Sequence, residues 1–173
     1  FQSPEKLAVS AGYFDHPRKL RARQWQILDY DGNSKLDLVV GIGDWKDYGW
    51  DDAWDSQGHW KNGPLRGHVF VVHDAGESGR KRIQDADVRA LPVWTTQGRA
   101  TVYGWPSPNF ADFDGDGDLD LLCGEFLDRF SYFENIGTRT GPKYEARGFL
   151  KDGDGLLRMD LQMIVPSAID WDR

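Results

Sequence analysis

Short apolar runs, each bounded by polar turn residues, set the rhythm of the chain. Leu36-Asp37-Leu38-Val39-Val40 and Leu119-Asp120-Leu121-Leu122 each follow an acidic stretch, and Val69-Phe70-Val71-Val72 and Phe130-Ser131-Tyr132-Phe133 come later in the same order. Runs of about four to eight residues, rich in β-branched and aromatic side chains and closed by Gly, Asn or Asp, read as strands. Asp74-Ala75-Gly76 and Asn135-Ile136-Gly137 supply the turn chemistry. No helical periodicity is sustained anywhere, so the pattern predicts an all-β chain. Strands are expected over 22–28, 37–42 and 68–73, then over 107–111, 119–124, 130–134 and 143–149. The first set needs a fourth strand, at 81–84 or 91–96, between which the composition does not decide.

An acidic loop recurs between these strands. Asp29-Tyr30-Asp31-Gly32-Asn33-Ser34-Lys35-Leu36-Asp37 matches Asp112-Phe113-Asp114-Gly115-Asp116-Gly117-Asp118-Leu119-Asp120 position for position, and Asp170-Trp171-Asp172 opens a third copy. Carboxylates at alternate positions describe an oxygen cage, and calcium takes about six to eight oxygen ligands in flexible geometry. In the second copy Asp112, Asp114, Asp116 and Asp120 can converge on such an ion with the carbonyl of Asp118. The first copy offers Asp29, Asp31, Asn33, Asp37 and the Lys35 carbonyl. Having lost a carboxylate and gained a lysine, it is expected to bind more loosely. Asp170 and Asp172 would begin a third, truncated site. None of these is an EF-hand, because position 12 is Val40 or Cys123 rather than Glu and strands follow instead of helices.

With Gly124 after it, the run Asp112 to Leu121 resembles the FG-GAP/VCBS repeat, the calcium-binding unit of integrin-α-like β-propellers. The resemblance implies four-stranded antiparallel blades in which the loop joins the first two strands and holds a structural Ca2+. It leaves the activity open, since such repeats serve adhesion receptors, bacterial surface proteins and carbohydrate-active enzymes.

The spacing carries the repeat independently. Asp29 and Asp112 are 83 positions apart, and Asp112 and Asp170 are 58 apart. Most of the difference falls between the second and third strands of the first unit. The implied organisation is the end of a preceding blade over 1–21 and a first blade over 22–100 carrying an insertion at 43–67. A second blade over 101–155 and the start of a third over 156–173 complete it. Two blades and a fragment cannot close a ring of four or more, so a partial propeller completed by further blades is expected.

The chain has 173 residues and a net charge of −7, with much of the acidity in the loops. Arg18, Lys19, Arg21 and Arg23 form a dense basic cluster, too little to neutralise a nucleic-acid backbone. No signal peptide or membrane-inserting segment is visible. The single cysteine, Cys123, cannot form an internal disulfide and is expected to be buried. Calcium sites of this kind point to a secreted, cell-surface or periplasmic setting.

Four of the eight tryptophans fall in the insertion. Strand order puts that connection at the end of the blades opposite the acidic loops, together with Trp105. Trp45, Tyr48, Trp50, Trp54, Trp60 and Trp105, with His59, make an aromatic and polar surface suited to a polysaccharide, whose C–H faces stack on rings. Packing of the loop on itself is the competing explanation. Two further functions stay open: polysaccharide cleavage by a lyase or glycoside hydrolase with His59 or His68 as acid–base groups, and adhesion to a protein partner. A joint His59/His68/His73 metal site is disfavoured, because His73 belongs at the opposite end of its strand.

Overall fold

A computed structural model describes residues 20–44, 56–57, 66–75, 91–92, 94–95, 98–99, 101–160 and 163–169. Among them every regular element is a strand. In the first sheet, β1 (Leu20–Leu28), β2 (Asp37–Asp44) and β3 (Arg66–Val72) form an antiparallel meander. The second sheet is a four-stranded antiparallel meander of β8 (Ser107–Ala111), β9 (Asp120–Gly124), β10 (Phe130–Asn135) and β11 (Tyr144–Phe149). The expected strands are all present where described, shifted by two residues or fewer at their ends.

The fourth position of the first sheet is shared. Residues 81–84 lie outside the described residues. β4 (Leu91–Pro92) pairs with Val71 and Phe70, whereas β7 (Thr101–Tyr103) pairs with Arg66 to His68. Between them, β5 (Trp94–Thr95) and β6 (Gly98–Arg99) form a hairpin that leaves this sheet and extends the second one, with Thr95 beside Tyr144 in parallel. The two sheets are therefore tied by backbone as well as by side chains. A small hairpin of β12 (Lys151–Asp152) and β13 (Gly155–Leu156) follows.

The sheets pack face to face. Val39, Val69 and Val71 of the first meet Phe110, Leu121, Cys123, Phe133 and Tyr144 of the second, with Tyr30 and Val102 in the same core. Each such side chain contributes about 1.5–3 kcal/mol when fully buried. On the other face of the second sheet, Leu122 and Phe130 pack against Ile164. Burial on both faces explains why β2 and β3 read as near-continuous apolar runs rather than clean alternations.

The same joint occurs twice. Gly41 lies so close to the strand ahead of it that an added Cβ would sit 2.0 Å from the Pro106 carbonyl oxygen and 2.9 Å from Pro108 Cδ. Gly124, 83 positions later, meets Ile164 and Pro166 in the same way, at 2.1 and 2.9 Å. Gln26 Oε1 accepts the Phe110 amide at 2.9 Å, and Asn109 Oδ1, again 83 positions later, accepts the Ala168 amide at 3.1 Å. Residues 163–169 thus meet the second sheet as β8 meets the first.

Candidate metal centre

Both acidic loops are built on one hydrogen-bond scaffold. Asp29 Oδ2 accepts the Ser34 amide at 3.0 Å and Asp112 Oδ2 accepts the Gly117 amide at 3.0 Å. Asp31 and Asp114 accept the amides two residues on, at 3.3 and 3.2 Å. Asn33 and Asp116 do the same at 2.8 and 3.0 Å. These bonds wind the backbone so that alternate side chains turn inward. Two backbone positions in each loop have positive φ: Gly32 and Ser34 in the first (72° and 66°), Gly115 and Gly117 in the second (83° and 94°). Ser34 alone of these carries a side chain in that region.

Asp37 and Asp120 anchor the loops from beneath and are fully buried. Asp37 accepts the amides of Tyr30 and Asp74, both at 2.8 Å. Asp120 accepts those of Phe113 at 3.1 Å and Asn135 at 2.7 Å, and the Tyr132 hydroxyl at 3.0 Å. One carboxylate thereby ties the start of its loop to the turn after the third strand of its sheet. Asp120 and its neighbours, with burial the larger cause, push the Tyr132 phenol far above its ordinary value.

In the second loop, carboxylate oxygens of Asp112, Asp114 and Asp116 lie within 4.8 Å of one another. Asp118 is 6 % exposed, and its Oδ1 is buried without a hydrogen-bond partner. Burial, then Asp116, Asp120 and Asp114, push its carboxyl up to about 6 against the pull of the Asn135 side chain. Asp114 is raised as well, by desolvation and then by Asp120, Asp116 and Glu134 against the pull of the Asp116 amide. Among the described residues no basic side chain pairs with any of these five aspartates. A buried orphan oxygen beside clustered carboxylates fits a hard divalent cation, which would supply the missing positive charge. The Asp118 carboxylate is not one of the three that converge, and the sequence singled out only its carbonyl.

The first loop is differently furnished. Asp31, Asp37 and His73 offer ligand atoms within 4.8 Å of one another, and His73 Nδ1 lies 3.4 Å from Asp31 and 3.7 Å from Asp37. Lys35 Nζ is 3.5 Å from Asp74, and Arg139 of the second sheet reaches Asp29. Sequence reading placed His73 at this end of its strand without assigning it to the loop, and missed Arg139. His73 directly follows β3, a position that the strand boundary alone could have flagged. Arg139 carries no such signal.

At the opposite end, Asp44, Arg66 and Tyr103 lie side by side across β2, β3 and β7. The insertion and the connection holding Trp105 therefore leave from the same end of the sheet. Trp45, Tyr48, Trp50, Trp54, His59 and Trp60 lie outside the described residues, as do Asp170 and Asp172. Trp105 is half-buried. His68 is 5 % exposed, held within β3 between Ile42 and Thr101, so it belongs to the sheet rather than to an open loop. This end also holds Glu125, a buried acid that accepts the Ser131 hydroxyl and lines a cavity of about 230 Å³ with Val102 and Phe149. Burial and then Glu125 raise the Cys123 thiol well above its usual value, which makes it an inert core residue as expected.

Compared with known protein families, with characterised proteins and with solved structures, the chain matches none.

Proposed function

We propose that this chain is a stretch of a calcium-stabilised β-propeller of the FG-GAP/VCBS kind, acting outside the cytosol and binding polysaccharide at the end away from its acidic loops. The repeated joint is the observation that carries the architecture. Gln26 to Phe110 and Asn109 to Ala168, with the paired close approaches at Gly41 and Gly124, relate successive units by one recurring packing. Such a rule, applied repeatedly, is how blades and other repeats build an array.

Calcium is supported by the second loop, where Asp118 holds a partnerless buried oxygen near three other carboxylates, Asp114, Asp116 and Asp120. The ion's role there is structural, since binding to the folded chain alone adds about 2.7 kcal/mol of stability at a hundredfold excess over Kd. Its site is far along the strands from the proposed ligand surface. The glycan reading rests on the insertion, whose sequence carries Trp45, Trp50, Trp54 and Trp60, and on the connection holding Trp105, which leaves the sheet at the same end.

The test is a panel of neutral and acidic polysaccharides incubated with the protein in calcium, following retention and released oligosaccharides together by mass spectrometry. Retention that Trp54→Ala or Trp60→Ala removes, with calcium-dependent melting intact, supports the binding module. Released products lost in His59→Ala would make the same surface catalytic. Neither retention nor products, with calcium-dependent capture of a protein, would replace the glycan by a protein partner.

A further inference from the structure

We infer that Arg139 takes the place of a divalent ion at the first loop, so that the second loop binds calcium while the first makes a metal-independent joint between the two sheets. The second half of this statement rests on the calcium reading above, and the first half does not. Arg139 sits in the tight turn after β10, where Thr138 and Gly141 exchange backbone hydrogen bonds at 3.3 and 3.0 Å. Its side chain crosses to the first sheet. Nη1 donates to the Tyr30 carbonyl at 2.9 Å, Nη2 donates to the Asp29 carbonyl, and Nη2 lies 3.7 Å from Asp29 Oδ2. Two carbonyls and a carboxylate, oxygens of the kind a hard cation would gather, converge instead on one planar guanidinium.

The turn also lies over the loop. A Cβ built on Gly32 would meet Arg139 Cγ, the Arg139 carbonyl oxygen and Thr140 Cγ2, all at 3.2 Å. By contrast, a Cβ built on Gly115 or Gly117 in the second loop would meet nothing within 4 Å.

Substitutions around the two loops run in one electrostatic direction. Lys35 stands where the second loop has Asp118, and Asn33 stands where it has Asp116. His73, the residue before the anchored turn, stands where the second sheet has Glu134, itself paired with Arg147. Around the first loop, Asp29 lies within 4 Å of Arg139 and Asp74 within 4 Å of Lys35, while Asp31 lies beside the His73 imidazole; Asp29 Oδ1 is buried without a hydrogen-bond partner, on the carboxylate that Arg139 faces. A guanidinium stays charged at any working pH, and a divalent ion brought beside it would be repelled. The first loop thus gains less from calcium than the second, whose five aspartates have no basic side chain within 4 Å among the described residues.

The experiment is isothermal titration of calcium into the chelator-stripped protein, with melting curves run in calcium and in chelator. Asp114→Asn/Asp116→Asn should remove one equivalent of bound calcium, whereas Asp31→Asn should remove none. Arg139→Met should lower the melting temperature by roughly 5 °C, equally in calcium and in chelator, and Arg139→Lys should recover only part of that shift. Loss of an equivalent in Asp31→Asn would overturn the inference, and so would an Arg139→Met shift present only in calcium. If no variant changes calcium binding because none binds, the calcium reading fails. The Arg139 joint then stands or falls on the melting shift in chelator alone.

Discussion

Asn109 holds the Ala168 amide with its side-chain oxygen at 3.1 Å, the bond that Gln26 makes to Phe110 one repeat earlier. Two side chains of different length fill one role, because each lies on the first strand of its sheet and faces the segment that packs against it, β8 in one case and residues 163–169 in the other. The joint is thus made of polar side chains reaching backbone amides, with glycines allowing the strands to close.

Truncating either amide should loosen its own joint. Gln26→Ala and Asn109→Ala each leave a part-buried amide unmet, at a cost of about 1–2 kcal/mol. Urea unfolding checks this, and a midpoint unchanged in both variants would show that the bonds are incidental.

The close approaches should be harsher. Gly41→Ala and Gly124→Ala place a Cβ 2.0 and 2.1 Å from a backbone carbonyl oxygen, so strands must separate, costing roughly 1–3 kcal/mol or more. Gly115→Ala meets no atom within 4 Å and bears only the strain of its positive φ, about 1–2 kcal/mol. Equal melting temperatures for Gly41→Ala and wild type would contradict the packing described for this joint.

Ser34 is the reverse case. It holds a φ of 66° where the second loop has Gly117 at 94°. Ser34→Gly should relieve that strain and stabilise the protein by about 0.5–1 kcal/mol, after the entropy cost of the added glycine. A destabilised Ser34→Gly variant would mean that the hydroxyl contributes more than the backbone loses.

Protonation of Asp118 gives a pH signature. Its folded value of about 6 lies above its ordinary 3.8, so the folded chain holds this proton more tightly than the unfolded chain does. The contribution favours folding at low pH and is lost as pH rises through about 6. In chelator, wild type should therefore melt below Asp118→Asn at neutral pH, and the gap should shrink on going from about pH 7 to about pH 5. Saturating calcium should remove the gap. A difference between the two proteins that is flat across this range would refute the shift.

The strands and loops were legible in the linear sequence because their signals are local. Asp112 to Asp120 writes its own turn through amides no more than seven residues away. The strand expected over 107–111 matches β8, and Cys123, expected to be buried, lies within β9 beside Leu121 and Leu122. What tertiary structure alone decided lies at long range. Arg139 meets Asp29 and Tyr30 across about 110 residues, and Gln26 meets Phe110 across 84. No periodicity in the chain marks such a pair. The fourth strand of the first sheet divided into β4 and β7 because an edge strand can pair on either side of an excursion, and the β5–β6 hairpin found its partner in the neighbouring sheet. The sequence by itself determined the strands and the two acidic cages, since backbone conformation and charge spacing are properties of consecutive residues. Which cage is neutralised from within was decided only when folding brought a distant guanidinium to one of them.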